Sequence, residues 1–326
     1  MEENHGGRWL RQIHKQEQQS VTPLIFPHLQ SCLLTYHHHH QRRNLPDTQA
    51  SYNQIDLDIP RTFPTHAFFA QPTSLGQQEL QRVLSAYVSW ENAVFAEKDT
   101  LTDTTSTTTT LEYNASVRKC GYVQGMNMIA GHLLLHINEL HSFHIFSHLM
   151  VNPKFNMQHI LRNGMDGLHL KLHHVQHLME FYLPSTANCL AMANVPLLFF
   201  CTEWVITLFA YVFDGPFLNT FFDLFLEHGW VSFYQVTLAL LKSVEQDLLQ
   251  AANSGLGGND VAEGNLQVNV LSIVKGIGRR SVKYNRQEEK DKDGASIFKS
   301  ASSFDRMEIE RLVAKNGRKP EGVGVL

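Results

Sequence analysis

No two of the four cysteines (Cys32, Cys120, Cys189 and Cys201) stand at C-x-x-C spacing. That absence argues against a disulfide framework and against a zinc site, and fits reduced thiols in a cytosolic protein. A basic surplus is missing too. The formal net charge is −4, the wrong sign for a general nucleic-acid binder. There is no G-x-x-x-x-G-K-[ST] loop, and Gly276-Ile277-Gly278 lacks the third glycine of a dinucleotide fingerprint. No apolar stretch follows Glu2, Glu3, His5 and Arg8, so no signal peptide is expected, and the sequon at Asn114-Ala115-Ser116 is read as accidental. Residues 195–213 come nearest to a bilayer-length apolar run, but Glu203 falls near the centre, with Pro196 and Asp214 at the ends. A charge at that depth costs about 3 kcal/mol on insertion scales. A buried helix is the expectation, not a membrane span.

What is present points to helices. Hydrophobic residues make up 43% of the 326 residues, enough for a sizeable core. Trp9, Leu10 and Ile13 have the spacing of a short helix within an otherwise irregular, Gln- and His-rich segment 1–50, which includes His37 to His40. Residues 75–95 read as an amphipathic helix with Leu80, Val83, Leu84, Tyr87 and Val88 on one side. Met126, Ile129, Ala130, Leu133, Leu134, Ile137 and Leu140 recur at three- and four-residue spacing, predicting one core helix. Further helices are expected over 168–182, 197–213, 217–226, 233–250 and 304–313, the last capped near Ser303, whereas 266–274 is ambiguous. No strand alternation and no internal repeat are evident. The expected fold is all-α, with a core over 51–250, a threonine-rich insertion at 98–110, a glycine-rich one at 251–265, and a helical remainder with a charged tail over 266–326.

Two short segments stand apart. In the first, Ile55-Asp56-Leu57-Asp58-Ile59-Pro60-Arg61-Thr62-Phe63-Pro64, the prolines are expected to hold Ile59 and Phe63 extended and to mount Arg61 on a stiff, non-helical loop. Asp58 is placed to brace the guanidinium through a bidentate contact. In the second, Cys120-Gly121-Tyr122-Val123-Gln124-Gly125-Met126-Asn127, the glycines allow a tight backbone around Gln124. The core helix follows directly, so Gln124 stands at a helix N-terminus whose dipole and free N–H groups favour phosphate.

Ile55-x-x-Asp58-x-x-Arg61-Thr62 resembles the IxxDxxRT motif of TBC domains, and Tyr122-x-Gln124-Gly125 resembles their YxQG motif. The two occur in the family's order, and residues 204–241 look like the domain's later helices; the resemblance spans roughly residues 50–250. It implies a GTPase-activating protein for a GTP-bound Rab-type small GTPase, with no stand-alone reaction. Arg61 would neutralise charge on the transferring phosphoryl group and Gln124 would orient the attacking water, supported by Asp58, Thr62, Tyr122 and Gly125. The chain would need no cofactor of its own, since GTP and magnesium belong to the partner. No nucleic acid is implied. By the same resemblance the protein is cytoplasmic and peripheral to endomembranes, attached indirectly through the Rab, and regulates vesicle trafficking. The reading from a different class is a helical adaptor that binds GTPases or other proteins without accelerating hydrolysis; it has no physical need for both Arg61 and Gln124.

The sequence departs from the family pattern at Val123, where cysteine is common, and at Thr220-Phe221-Phe222-Asp223, where an arginine usually precedes a tryptophan–aspartate pair. Only Trp9 looks like the family's N-terminal opening. The 19 histidines include His169, His173 and His177 at i, i+4 and i+8, and His132 and His136 at i and i+4. Without a neighbouring Glu-x-x-His element these are expected to be packed or surface side chains, not metal ligands.

Overall fold

The computed structural model describes residues 4–19, 46–100, 119–213, 215–255, 260–277 and 295–315. The expectations for His37 to His40, the sequon, most of the threonine-rich insertion and the charged segment 286–294 fall outside these residues, whereas the glycine-rich insertion expected over 251–265 is helical except at 256–259, which fall outside them. Among the described residues the regular structure is entirely helical. The chain divides into two units, Met1–Met165 and Asp166–Leu326.

In the first unit α1 (His5–Gln19) opens on Asn4, whose side chain accepts a hydrogen bond from the Gly7 N–H at 2.8 Å. Residues 5–19, inside the segment expected to be irregular, are therefore helical well beyond the short turn that Trp9, Leu10 and Ile13 suggested. Trp9 and Ile13 are buried, and the Trp9 ring packs on His132 and His136 at 5.5 and 5.0 Å. These two histidines thus contribute to a packed aromatic cluster. α2 (Pro46–Asp58), α3 (Leu75–Thr100) and α4 (Met126–Leu134) follow. The single helix expected from Met126 to Leu140 ends at Leu134, and α5 (Glu139–Val151) begins after a turn. The Asn138 side chain caps α5 by accepting from the His141 N–H. The apolar period ran on across this break because both helices face one core: Ile129, Leu133, Phe143, Phe146 and Leu149 are all fully buried. Arg82 on α3 grips Glu139 with two parallel hydrogen bonds of 2.8 and 2.7 Å. α6 (Met157–Leu161) completes the unit.

The second unit runs α7 (Asp166–Tyr182), α8 (Pro184–Met192), α9 (Cys201–Thr207), α10 (Gly215–His228), α11 (Trp230–Ser243), α12 (Glu245–Gly255), α13 (Asp260–Lys275), α14 (Ala295–Ser302) and α15 (Arg306–Lys315). Two continuous helices predicted from the sequence are broken. Residues 197–213 form a short 3-10 turn, then α9, then Leu208 and Phe209 with φ of 50° and 65°. Left-handed backbone costs roughly 1–2 kcal/mol per residue. Here it turns the Phe209 ring into a cluster with Phe221 and Phe233 at 4.9 and 4.8 Å, fully buried. The run 233–250 splits at Val244, while the ambiguous 266–274 is helical within α13. α15 is capped by Asp305, whose side chain accepts from the Glu308 N–H at 2.7 Å, two residues beyond the expected Ser303. Among the described residues no helix is long and apolar enough to cross a membrane.

Candidate functional site

α2 delivers the arginine segment. Asp58 is its last residue, and Ile59-Pro60-Arg61 continues as one 3-10 turn instead of an extended loop. Pro60 lies in the first turn, where a missing N–H goes unnoticed. Thr62 then leaves extended (φ −84°, ψ 114°), with its N–H donating to the Ile59 carbonyl at 3.1 Å. Phe63 is left-handed, φ 41°, not extended as its place before Pro64 suggested. Its ring packs near Phe69 at 6.1 Å, which helps offset the strain. The result is a short, tightly turned mount from which the Arg61 side chain projects, 69% exposed.

Asp58 does not hold Arg61 as expected. The only contact is a single 3.8 Å approach of Arg61 Nη1 to Asp58 Oδ1, longer than a hydrogen bond. Asp58 is buried instead against the second segment: its Oδ2 accepts the Tyr122 hydroxyl proton at 2.9 Å and a Gln54 amide hydrogen at 3.2 Å. Burial, with the Asp58 carboxylate beside it, pushes the Tyr122 phenol far above its ordinary range, so it stays a donor. A second tie runs parallel. The Thr62 hydroxyl donates to the Asp58 carbonyl at 2.9 Å and accepts from Asn127 Nδ2 at 2.8 Å, while Asn127 Oδ1 accepts the Gly125 N–H at 3.0 Å. The bases of the two segments are therefore joined by buried hydrogen bonds from Tyr122 and Asn127.

The glutamine segment is irregular between α3 and α4. Gly121 and Gly125 have φ of 68° and 109°, values that a side chain would resist, and they bracket Gln124, which is exposed. The helix starts one residue after Gly125. The Gly125 and Met126 N–H groups, expected to be free for phosphate, are taken by Asn127 Oδ1 and the Val123 carbonyl. Glu91, which sequence reasoning passed over, lies beneath this segment. Its carboxylate accepts the N–H of Cys120 at 2.9 Å and of Gly121 at 2.6 Å, besides Gln158 Nε2 at 2.6 Å. Burial pushes the Glu91 carboxyl above its ordinary range, and the two backbone N–H groups are the chief opposing influence. The Cys120 thiol is raised far out of the reactive range, by burial first and then by Glu91.

Gly131 on α4 permits the close approach of the arginine segment. A Cβ there would lie 2.7 Å from Thr62 Cγ2 and 3.2 Å from Phe63 Cε2. Gly131→Ala should destabilise the protein by about 1–3 kcal/mol, although alanine favours a helix, because overpacking displaces Thr62. Urea unfolding of the variant checks this; an unchanged or raised midpoint would contradict it.

A family model, the Rab-GTPase-TBC domain, matches residues 12–95 and 110–249. The chain belongs to this family. Rab GTPase-activating protein tbc-11 of Caenorhabditis elegans is 28% identical over 196 residues, covering 60% of this chain and 18% of that protein. Human ecotropic viral integration site 5 protein homolog is 26% identical over 270 residues, 80% of this chain and 29% of that protein. The chain thus spans less than a third of either relative. The crystal structure of the Chlamydomonas flagellar RabGAP TBC domain superposes with a TM-score of 0.51 at 18% identity, over 84% of this chain and 78% of that one, which shows the same all-helical fold. The TBC match begins within the segment that composition had marked as irregular, in the helix that carries Trp9 and Ile13.

Proposed function

We propose that this TBC domain accelerates GTP hydrolysis by a Rab-type small GTPase, lending Arg61 and Gln124 in trans to the partner's active site. The observation that carries the reading is that two exposed side chains of suitable chemistry stand on loops whose bases are tied by Tyr122–Asp58 and Asn127–Thr62. Arg61 brings a permanent, delocalised charge to the γ-phosphoryl group, and Gln124 brings a donor and an acceptor to align the attacking water. Within a closed interface both act in reduced dielectric, so one arginine has a large effect. GTP and magnesium are the partner's. Membrane attachment is indirect, through the GTPase, at the cytoplasmic face of endomembranes, and the consequence is control of vesicle trafficking.

The test is single-turnover GTP hydrolysis by a panel of purified GTP-loaded Rab proteins, with this protein and its Gln124→Ala variant. Acceleration of at least one Rab is expected, with loss in the variant by about 100- to 1,000-fold, the usual cost of removing one pre-positioned polar group. A folded protein that binds a Rab but accelerates none of the panel would establish the silent adaptor instead.

A further inference from the structure

The amides leading to Gln124 belong to no helix or sheet ladder. Side chains hold them one after another: Glu91 Oε1 takes Cys120 N–H, Glu91 Oε2 takes Gly121 N–H, and Ser51 Oγ takes Tyr122 N–H at 3.2 Å. Glu91 is the charged member of this set, 1% exposed and 29 residues or more distant in sequence. Besides the two amides it accepts from Gln158 Nε2 at 2.6 Å and the Tyr87 hydroxyl at 3.3 Å, and among the described residues it forms no ion pair. Three of the four partners are N–H groups that can only donate, so an amide in place of the carboxyl group would turn an N–H of its own toward one of them. A buried carboxylate without a cation gains little global stability over a neutral side chain of the same shape. What it does supply is a fixed direction for two successive backbone N–H groups, those of Cys120 and Gly121, shortly before Gln124.

We propose that Glu91 is a positioning residue for the glutamine loop, clamping the Cys120 and Gly121 amides so that Gln124 is presented in its working geometry. The proposal rests on Gln124 acting in hydrolysis, as argued above, and concerns turnover of the bound GTPase, not its capture. A displacement of about 1 Å in a catalytic group lowers rates by about 100-fold.

The decisive experiment pairs a mutant cycle with amide hydrogen exchange. Glu91→Gln should lower kcat for the responsive Rab by about 10- to 100-fold and leave KM within about twofold, since the loss is one of geometry. In a Gln124→Ala background the same substitution should change kcat less than about threefold, because the group it positions is gone. The Cys120 and Gly121 amides should exchange at least about tenfold faster in Glu91→Gln, while those of α3 and α4 are unaltered. A rate loss that persists undiminished without Gln124, or exchange that rises throughout the unit, would make Glu91 merely structural and overturn the proposal. So would an unchanged kcat. If the unmodified protein accelerates no Rab, the finger reading fails by itself, and the exchange measurement still decides the clamp. Should Glu91→Gln not fold, the unmodified protein suffices: Cys120 and Gly121 amides must be protected to the level of α3, and rapid exchange at either overturns the clamp.

Discussion

Arg61→Ala is expected to lower the GTPase-activating rate by about 1,000- to 100,000-fold and leave the fold almost untouched. The asymmetry follows from where the side chain sits. Arg61 is 69% exposed, and among the described residues its one ion-pair partner, Asp58, is 3.8 Å away. A long pair whose arginine lies in solvent contributes about 0–1 kcal/mol, so thermal unfolding should shift by only a few degrees. Asp58 loses little when Arg61 goes, because Tyr122 and Gln54 continue to donate to it. In a closed complex the same guanidinium would face the developing phosphoryl charge with water excluded, and its removal costs roughly 4–7 kcal/mol of barrier at 1.36 kcal/mol per decade. Arg61→Lys keeps the charge but not the planar fork, so it should recover only a small part of the rate. Stopped-flow hydrolysis beside a melting curve checks both. A variant that loses stability in proportion to rate would mean that Arg61 is a structural residue.

A second large effect is expected in acid. Burial lowers the pKa of His144 to about 4, of His148 to about 3 and of His174 to about 4, and takes His132 well below its ordinary value; neighbouring positive groups add to each shift. His148 packs edge-on to Phe155 with its Nε2 3.2 Å from Gln16 Oε1, and His174 Nδ1 lies 2.9 Å from the Tyr234 hydroxyl. All four are neutral in the folded protein, whereas in the unfolded chain they bind protons near pH 6.5. The sign follows: the unfolded state holds more protons, so stability is complete above about pH 6.5 and falls as the pH drops toward the lowered folded-state values, about 4, 3 and 4 for His144, His148 and His174. Each histidine contributes a slope of up to about 1.4 kcal/mol per pH unit, and four together about 5. Against a typical total of about 5–15 kcal/mol, unfolding should occur within about one to three pH units below 6.5. Glu91 and Glu79 act in the opposite sense, since their raised pKa values favour the fold at low pH, but they are two groups against four. Urea midpoints between pH 8 and 4 measure the slope. His148→Phe, which keeps an aromatic ring against Phe155, should flatten it by about a quarter. A midpoint constant from pH 7 to 5 would contradict the prediction.

The helical class was legible in the sequence because apolar residues at three- and four-residue spacing have one geometric solution. The same signal hid the turn between α4 and α5 and the break after α9. An apolar period records which face is buried, not whether the chain that carries it is continuous. The break at Leu208 and Phe209 has no residue-type signature, since neither favours left-handed backbone; burial of the Phe209 ring in the phenylalanine cluster compensates for it. At the candidate site, Arg61 and Gln124 could be named from the sequence because their chemistry resides in the side chains and their local motifs are short. The partners that hold them could not. Asp58 proved to serve Tyr122 rather than Arg61, and Asn127 to join Thr62. Glu91 reaches amides 29 and 30 residues away, across a stretch with no helical pattern to bring them together. The sequence by itself picked out the two side chains proposed to act on a phosphoryl group; only the tertiary structure decided what holds their segments, because a buried donor takes whichever acceptor the packing brings within about 3 Å.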